Sequence, residues 1–539
     1  MAIPRKAWNW LAIPPAHHAD SDWRDTTIAQ RARELAQDDP DFIAISDERR
    51  DLTRREWLDE ARALAAALQK RGYVAGDVIA FQLPNWHEAA VIDLAAALAG
   101  LVIVPIVPIY RDAEVRLMLA DSGARALFTC AGFRNYDFAA MAARVQRDLP
   151  QLEDIFVVRG EDGSQADYAT LVRQGAQLDL EEVEVDPKGV KMVLYTSGTT
   201  GRPKGVLHSH TTLDTVLARS GEHWGVREGD TLIMPSPVTH ISGFANGLEM
   251  PLVRGTRTIL MERWDAGEAV SLIDRHQVSG TVAATPFLVE LADAARKAGT
   301  RLPSLRWFAC GGAAVPPELI PSARSAFDNL VAFRVFGASE VPLVTYGWPG
   351  SPELAATTDG EVVDYQVRIV DDEGNDLPPG EEGEILAHGP AMMLGYSDQD
   401  QTRDAIDERG FFRTGDLGRL TADGALTVTG RKKDLIIRGG ENISAVEIED
   451  VLRTHPALRD VAVVAMPHER LGEGVCAYCI TEGDPPAIDD LVAHVIDSGL
   501  AKQKIPERFE FVADFPRTAS GKVRKDQLRK DVTRKLADA

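Results

Sequence analysis

Tyr195-Thr196-Ser197-Gly198-Thr199-Thr200-Gly201-Arg202-Pro203-Lys204-Gly205 is the stretch around which the chain is organised. Val190-Lys191-Met192-Val193-Leu194 precedes it and has strand character. Gly198, Gly201 and Gly205 let the backbone turn tightly. The N–H groups exposed by such turns form a nest for anions. Ser197, Thr199 and Thr200 add donors, and Lys204 adds a mobile point charge. The ligand this chemistry suits is a polyphosphate. The spacing is not that of a Walker A loop, which disfavours a P-loop phosphohydrolase.

Outward from this loop, strand and helix alternate. Helical spacing of apolar residues covers 26–35 and 53–71. Residues 77–83 read as a strand, 88–98 as a helix, 102–106 as a strand, 113–120 as a helix and 124–130 as a strand. Residues 156–158 continue the pattern, as do 231–235, 258–261, 280–283 and 307–310. Helices at 268–276 and 287–297 separate the later strands. The alternation predicts α/β architecture with doubly wound parallel sheets. From Asp359 the pattern changes to short strands (362–370, 384–388, 426–429) with turn signals, a β-barrel-like part. A smaller α+β pattern then runs through helices at 445–452 and 488–496 and strands at 461–466, 475–480 and 508–512. The sequence therefore predicts a large N-terminal domain, 1–431, and a small C-terminal domain, 432–539.

Bulk properties bound the function. A chain of 539 residues exceeds one ordinary domain. The formal charge of −23 argues against a nucleic-acid binder, so any anion must meet a local basic site. The N-terminus has no apolar signal region. The apolar run 94–109 is short for a membrane span and contains Pro105 and Pro108, so it reads as a buried helix entering a core strand. Cys130, Cys310, Cys476 and Cys479 are few and scattered, which fits a reducing, cytoplasmic setting. Cys476 and Cys479 lie three apart in a strand and so face opposite sides. A homodimer is compatible with the sequence.

Several residues carry chemistry. Gly311-Gly312-Ala313 and Phe336-Gly337-Ala338-Ser339-Glu340 follow predicted strands, at the ends where open α/β sheets bind ligands. Glu340 offers a hard oxygen for Mg²⁺. Asp416 offers two oxygens to a pair of hydroxyls. Arg431 is a fixed cation, and Lys522 sits in a glycine-containing turn. His208 and His210 form a His-x-His pair without a carboxylate or cysteine cluster, and so read as structural.

In this order, the motifs resemble those of the adenylate-forming (AMP-binding) superfamily, which includes acyl-CoA synthetases, peptide-synthetase adenylation domains and luciferases. The resemblance spans nearly the whole chain. It implies that Thr196, Ser197, Gly198, Thr199, Thr200 and Lys204 hold the phosphates of ATP. Gly311, Gly312, Ala313, Phe336 and Gly337 would surround adenine. Ser339 would meet the α-phosphate, Asp416 the ribose, and Arg431 the ribose or a phosphate. Glu340 would carry Mg²⁺. Lys522 would be the catalytic lysine and Lys433 the hinge. Gly439 and Gly440 would line a pantetheine tunnel, and His240, Phe244 and Phe287 the acyl pocket, with His240 at its carboxylate end. Two departures are conservative: Phe336 stands where Tyr is usual, and Ser339 where Thr is. Ser444-Ala445 replaces a proline-containing pair. Residues 84–86, 105–111, 285–287 and 438–443 resemble the cyclohexanecarboxylate and medium-chain acyl-CoA ligases. The implied reaction joins a hydrophobic medium-chain, alicyclic or aryl acid to CoA through an acyl-adenylate, consuming ATP. CoA is the expected thiol because no serine-bearing carrier segment follows before Ala539. The alternatives are a stand-alone enzyme loading a carrier protein and a non-catalytic ligand-binding relative.

Overall fold

The computed structural model describes residues 24, 26–160, 167–196, 203–312, 315, 319–438, 441–518 and 521–537. Two seven-stranded sheets dominate the N-terminal part. The first runs in the order Val331–Val335, Trp307–Gly311, Gly280–Ala283, Thr231–Met234, Arg257–Leu260, Ile43–Ser46, Asp51–Thr53. It is parallel except for the last strand. The second runs Gly395–Tyr396, Lys204–Ser209, Val190–Thr196, Val102–Pro105, Val78–Gln82, Ala126–Cys130, Asp154–Val158. Its last five strands are parallel, while Lys204–Ser209 is antiparallel to both neighbours.

Local rules account for these elements. Thr53 and Glu56 form a reciprocal cap on the helix Arg54–Lys70, whose apolar stripe includes Trp57, Ala61, Leu64 and Leu68. Every residue of the helix His87–Leu98 is buried, because it lies between layers. It leads into Val102–Pro105, so the apolar run at 94–109 is interior chain.

The third sheet, in the part expected to be barrel-like, has five antiparallel strands: Gly360–Glu361, Ala425–Arg431, Phe412–Leu420, Gly383–His388 and Gln366–Val370. The strand expected over 362–370 starts only at Gln366. Asp364 has φ of 58°, which breaks the extended run and leaves Val362 a lone bridge to Thr345.

The C-terminal part builds its own sheet from Glu441–Ile443, Ile436–Arg438, Gly472–Thr481 and Leu458–His468, with Arg508–Phe511 added beside Gly472–Thr481. Its two faces carry separate cores. Val475, Ala477 and Cys479 pack with Ile448 and Leu491. Cys476, Tyr478 and Ile480 pack with Leu528 and Val532. The two cysteines thus point to opposite sides, both buried and free. Among the described residues no helix is long and apolar enough to cross a membrane.

Candidate active site

The phosphate-type loop is the connection of a hairpin. Thr196 stands opposite Lys204 in the antiparallel pair, with Val206 opposite Leu194. Ser197, Gly198, Thr199 and Thr200 lie outside the described residues, as do Ala313, Gly439 and Gly440. What fastens the hairpin is clear. Tyr195 Oη and Ser397 Oγ each donate to Asp121 Oδ2 at 2.6 Å. Ser397 N donates to Gly205 O at 2.6 Å. One carboxylate therefore ties down the strand entering the loop and the segment flanking the strand that leaves it.

Two strand ends of the first sheet form the neighbouring wall. Gly312 follows Trp307–Gly311 with φ of 78°, a conformation that favours glycine. Phe336 follows Val331–Val335, and its N donates to Thr345 Oγ1 at 2.8 Å. A Cβ on Gly337 would fall 2.4 Å from Leu343 N, so only glycine fits that turn. Ser339 O accepts from His208 Nε2 at 2.7 Å, which leaves Nδ1 to accept from Thr212 Oγ1 at 3.1 Å. Burial pushes the His208 pKa down to about 4, so the ring is a neutral strut. The reading of His208 as structural agrees with this.

Glu340 lies next in this wall. Tyr396 Oη donates to Glu340 Oε1 at 2.8 Å, and Lys204 Nζ sits 4.8 Å from the centre of the Tyr396 ring. Burial raises the Glu340 pKa, opposed by the Tyr396 hydrogen bond and by the charges of Lys204 and Arg431. Glu340 is thus a hard-oxygen donor in an enclosed, cation-rich wall, the chemistry magnesium takes.

Asp416 and Arg431 face one another across adjacent strands, with Arg431 Nε 2.8 Å from Asp416 Oδ1. Asp416 is 4% exposed, and burial raises its pKa while Arg431 opposes the rise. Lys522 joins this group from the C-terminal part. A Cβ built on Gly312 would lie 4.0 Å from Lys522 Cε. Burial, followed by the charge of Arg431, lowers the Lys522 pKa to about 8, with Asp416 and Glu340 pulling the other way. The lysine is held by its turn. Thr518 N donates to Lys522 O at 2.7 Å, and Lys522 N donates to Thr518 Oγ1 at 3.1 Å. Arg517 bonds Gly521 O at 3.1 Å and Asp460 Oδ2 at 2.7 Å.

At the other end of the site, Asn85 organises the approach to His240. Its amide donates to Met234 O and Ser236 O at 3.2 and 2.8 Å, and its Oδ1 accepts from Val238 N at 2.9 Å. His240 is the residue before the short helix that follows, with Nδ1 3.3 Å from Ser242 Oγ. Burial and the nearby Lys522 charge push the His240 pKa down to about 4. Phe287 is half-buried and meets Trp264 edge-on at 4.9 Å. Phe244 is fully buried. Its ring packs 4.8 Å from Lys191 Nζ, an ammonium that is itself paired with Asp93 and Glu249. Phe244 thus belongs to the core behind the His240 turn.

Lys432 and Lys433 mark a change of attachment. Lys432 Nζ reaches back to Asp372 at 2.9 Å and Glu384 at 3.3 Å. Lys433 O and Asp434 are instead held by Arg529 of the C-terminal helix Lys525–Ala537, at 3.3 and 3.0 Å. A second carboxylate–imidazole group, Asp47, His87 and Glu88, has its cation already: Arg159 pairs with both carboxylates. Tyr396, Asp121 and the hold of Asn85 on residues 234–238 are not legible in the sequence, since their partners lie far away in the chain, and neither is the tie from Arg517 to Asp460.

The site is thus a nucleotide-type crevice between a parallel sheet, the hairpin that carries the glycine-rich loop and the C-terminal turn that carries Lys522. The chain belongs to the AMP-binding enzyme family: the family model "AMP-binding enzyme" matches residues 32–397 and "AMP-binding enzyme C-terminal domain" matches 447–522. It is 34% identical to a medium-chain fatty-acid–CoA ligase of Escherichia coli K12, over 97% of this chain and 93% of that one. It is 33% identical to a 2,3-dihydroxybenzoate-AMP ligase of Bacillus subtilis 168, over 95% of each. Among solved structures, it is similar to the o-succinylbenzoate CoA synthetase of Bacillus subtilis in complex with an acyl-adenylate, with a TM-score of 0.80 and 27% identity over 93% of this chain and 97% of that one. The chain is therefore an adenylate-forming ligase, of a family that uses ATP and Mg²⁺ and, in its CoA ligases, CoA.

Proposed function

We propose that the protein is an AMP-forming acid–CoA ligase acting on a hydrophobic carboxylic acid. The observation that carries this reading is the convergence of Asp416, Arg431 and Glu340 on Lys522, whose Cε lies beside Gly312, with His240 close enough to feel the Lys522 charge. A carboxylate held between His240 and Lys522 attacks the α-phosphorus of ATP, the P–O bond to the β-phosphate breaks, and pyrophosphate leaves. Lys522 offsets the negative charge that grows on the α-phosphate and on the attacking oxygen. Thr196, Lys204 and the loop between them hold the departing phosphates. Ser339 meets the α-phosphate, Phe336 stacks on adenine, and Asp416 accepts from the ribose hydroxyls. Glu340 would hold Mg²⁺, which when bound would supply positive charge to the phosphates of ATP. A thiol then attacks the acyl carbon and AMP leaves.

His240 carries no charge near neutral pH and so offers a polar, uncharged edge to the acid. Phe287 and the small Gly312 line an apolar pocket, shaped from behind by Phe244, which suits a medium-chain, alicyclic or aryl acyl group. The N-terminal domain spans 1–431, and Lys433 is the hinge on which 432–539 turns between the half-reactions. The split attachments of Lys432 and Lys433 support that position.

A second reading is favoured by the likeness to the 2,3-dihydroxybenzoate-AMP ligase: adenylation followed by transfer to a carrier protein. The two are separated by offering short, medium and long fatty acids, cyclohexanecarboxylate, benzoates and sterol side-chain acids, each with and without CoA. AMP and acyl-CoA formed with a hydrophobic acid support the first reading. Pyrophosphate exchange with no CoA-dependent AMP release supports the second. No exchange with any acid would leave a ligand-binding relative.

A further inference from the structure

We propose that Tyr396 is a positioning residue for adenylation, setting the Glu340 carboxylate and the Lys204 ammonium in register with one another. The inference rests on Glu340 being the magnesium ligand. Tyr396 lies on the two-residue strand Gly395–Tyr396 at the edge of the second sheet, opposite Val206 of the strand that leaves the phosphate loop. Its hydroxyl donates to Glu340 Oε1 at 2.8 Å. That bond occupies one carboxylate oxygen from a fixed direction and leaves the other to a metal ion. The same ring carries Lys204 Nζ 4.8 Å from its centre, within cation–π range. One side chain thus touches the metal-type carboxylate with its hydroxyl and the loop's cation with its face.

The backbone around Tyr396 repeats both attachments. Met393 N donates to Glu340 O at 2.8 Å. Leu394 N donates to Leu207 O at 2.8 Å, and Ser397 N to Gly205 O at 2.6 Å. Tyr396 N is held by Thr402 Oγ1 at 2.8 Å, and Ser397 Oγ by Asp121 Oδ2 at 2.6 Å. Residues 393–397 therefore form a strap with one side on Glu340 and the other on the loop hairpin. A strap built only for stability would need neither the phenol hydroxyl on the carboxylate nor the ammonium over the ring. Tyr396→Phe removes the hydroxyl and keeps the ring, the strand and the strap.

The test is Mn²⁺ binding, followed by electron paramagnetic resonance, to the full-length protein saturated with α,β-methylene-ATP. Loss of a hydrogen bond to a charged group should weaken Mn²⁺ binding about tenfold in Tyr396→Phe, with the melting temperature retained. In a Glu340→Gln background the same substitution should change Mn²⁺ affinity by less than about twofold, because the two act as a unit. Wild-type Mn²⁺ affinity in Tyr396→Phe would overturn the inference. So would an equal weakening in both backgrounds. If Glu340→Gln alone leaves Mn²⁺ affinity intact, the metal assignment itself falls and this inference falls with it. If Glu340→Gln loses Mn²⁺ and Tyr396→Phe does not, only the inference fails.

Discussion

Replacing Lys522 with alanine should separate catalysis from stability. The ammonium sits in an enclosed site, where burial takes its pKa from 10.5 to about 8. A folded-state pKa below the unfolded value means that the folded protein disfavours the charged form. Below pH 8 both states carry the charge, and the fold bears the full cost of up to about 3 kcal/mol. The cost fades as pH rises from 8 to 10.5. Lys522→Ala relieves it and loses some packing of the methylene stem, worth about 1–2 kcal/mol. The variant should therefore be as stable as the parent at pH 7, or slightly more so. Adenylation should nevertheless fall about 10²- to 10³-fold, the usual loss when one preorganised charge-stabilising group is removed. The assay is carboxylate-dependent pyrophosphate–ATP exchange, run beside thioester formation from a chemically prepared acyl-adenylate and CoA. The second rate should stay within about threefold of the parent, because the lysine acts before the adenylate exists. Equal losses in both assays, or a drop in melting temperature matching the loss of activity, would refute the argument.

Three further outcomes follow from the same geometry. kcat/KM for adenylation should decline above about pH 8 as Lys522 loses its proton, and Lys522→Arg should move that limb upward beyond the measurable range. Asn85→Ala removes the side-chain partner of Ser236 O and Val238 N and one of the two donors to Met234 O, so urea unfolding should register a loss of about 2–4 kcal/mol, and the KM for the acid should rise more than that for ATP. Lys433→Pro restricts φ at the residue where the attachments change sides. It should slow thioester formation at least about tenfold while leaving pyrophosphate exchange within about twofold, and stopped-flow measurement of the two half-reactions would decide.

Much of this molecule was legible in its sequence, for identifiable physical reasons. Strands buried on both faces read as continuous apolar runs, so Val78–Gln82, Ala126–Cys130 and Trp307–Gly311 stood out. Cys476 and Cys479 could be sent to opposite faces from the two-residue period alone. What escaped depends on side chains brought together by crossovers. Nothing in Gly395-Tyr396-Ser397 announces a partner at Glu340 or Asp121, and Asn85 gives no sign of gripping the 234–238 segment. The strand Lys204–Ser209 was hidden because its opening lysine and glycine read as loop. Asp364 interrupted an apolar pattern that otherwise looked continuous. The resemblance assigns Phe244 to the acyl pocket, yet the helical segment that begins at Ile241 carries its ring into the core over Lys191.

The central claim is that these residues make an acyl-adenylate and pass the acyl group to CoA. It is tested most directly by following pyrophosphate and AMP release together, with a panel of hydrophobic acids, in the presence and absence of CoA. Acid-dependent pyrophosphate release is expected, with AMP and acyl-CoA appearing only when CoA is added, and both signals lost in Lys522→Ala. Acid-dependent pyrophosphate release that CoA never converts to AMP and thioester, or no response to any acid, would contradict it.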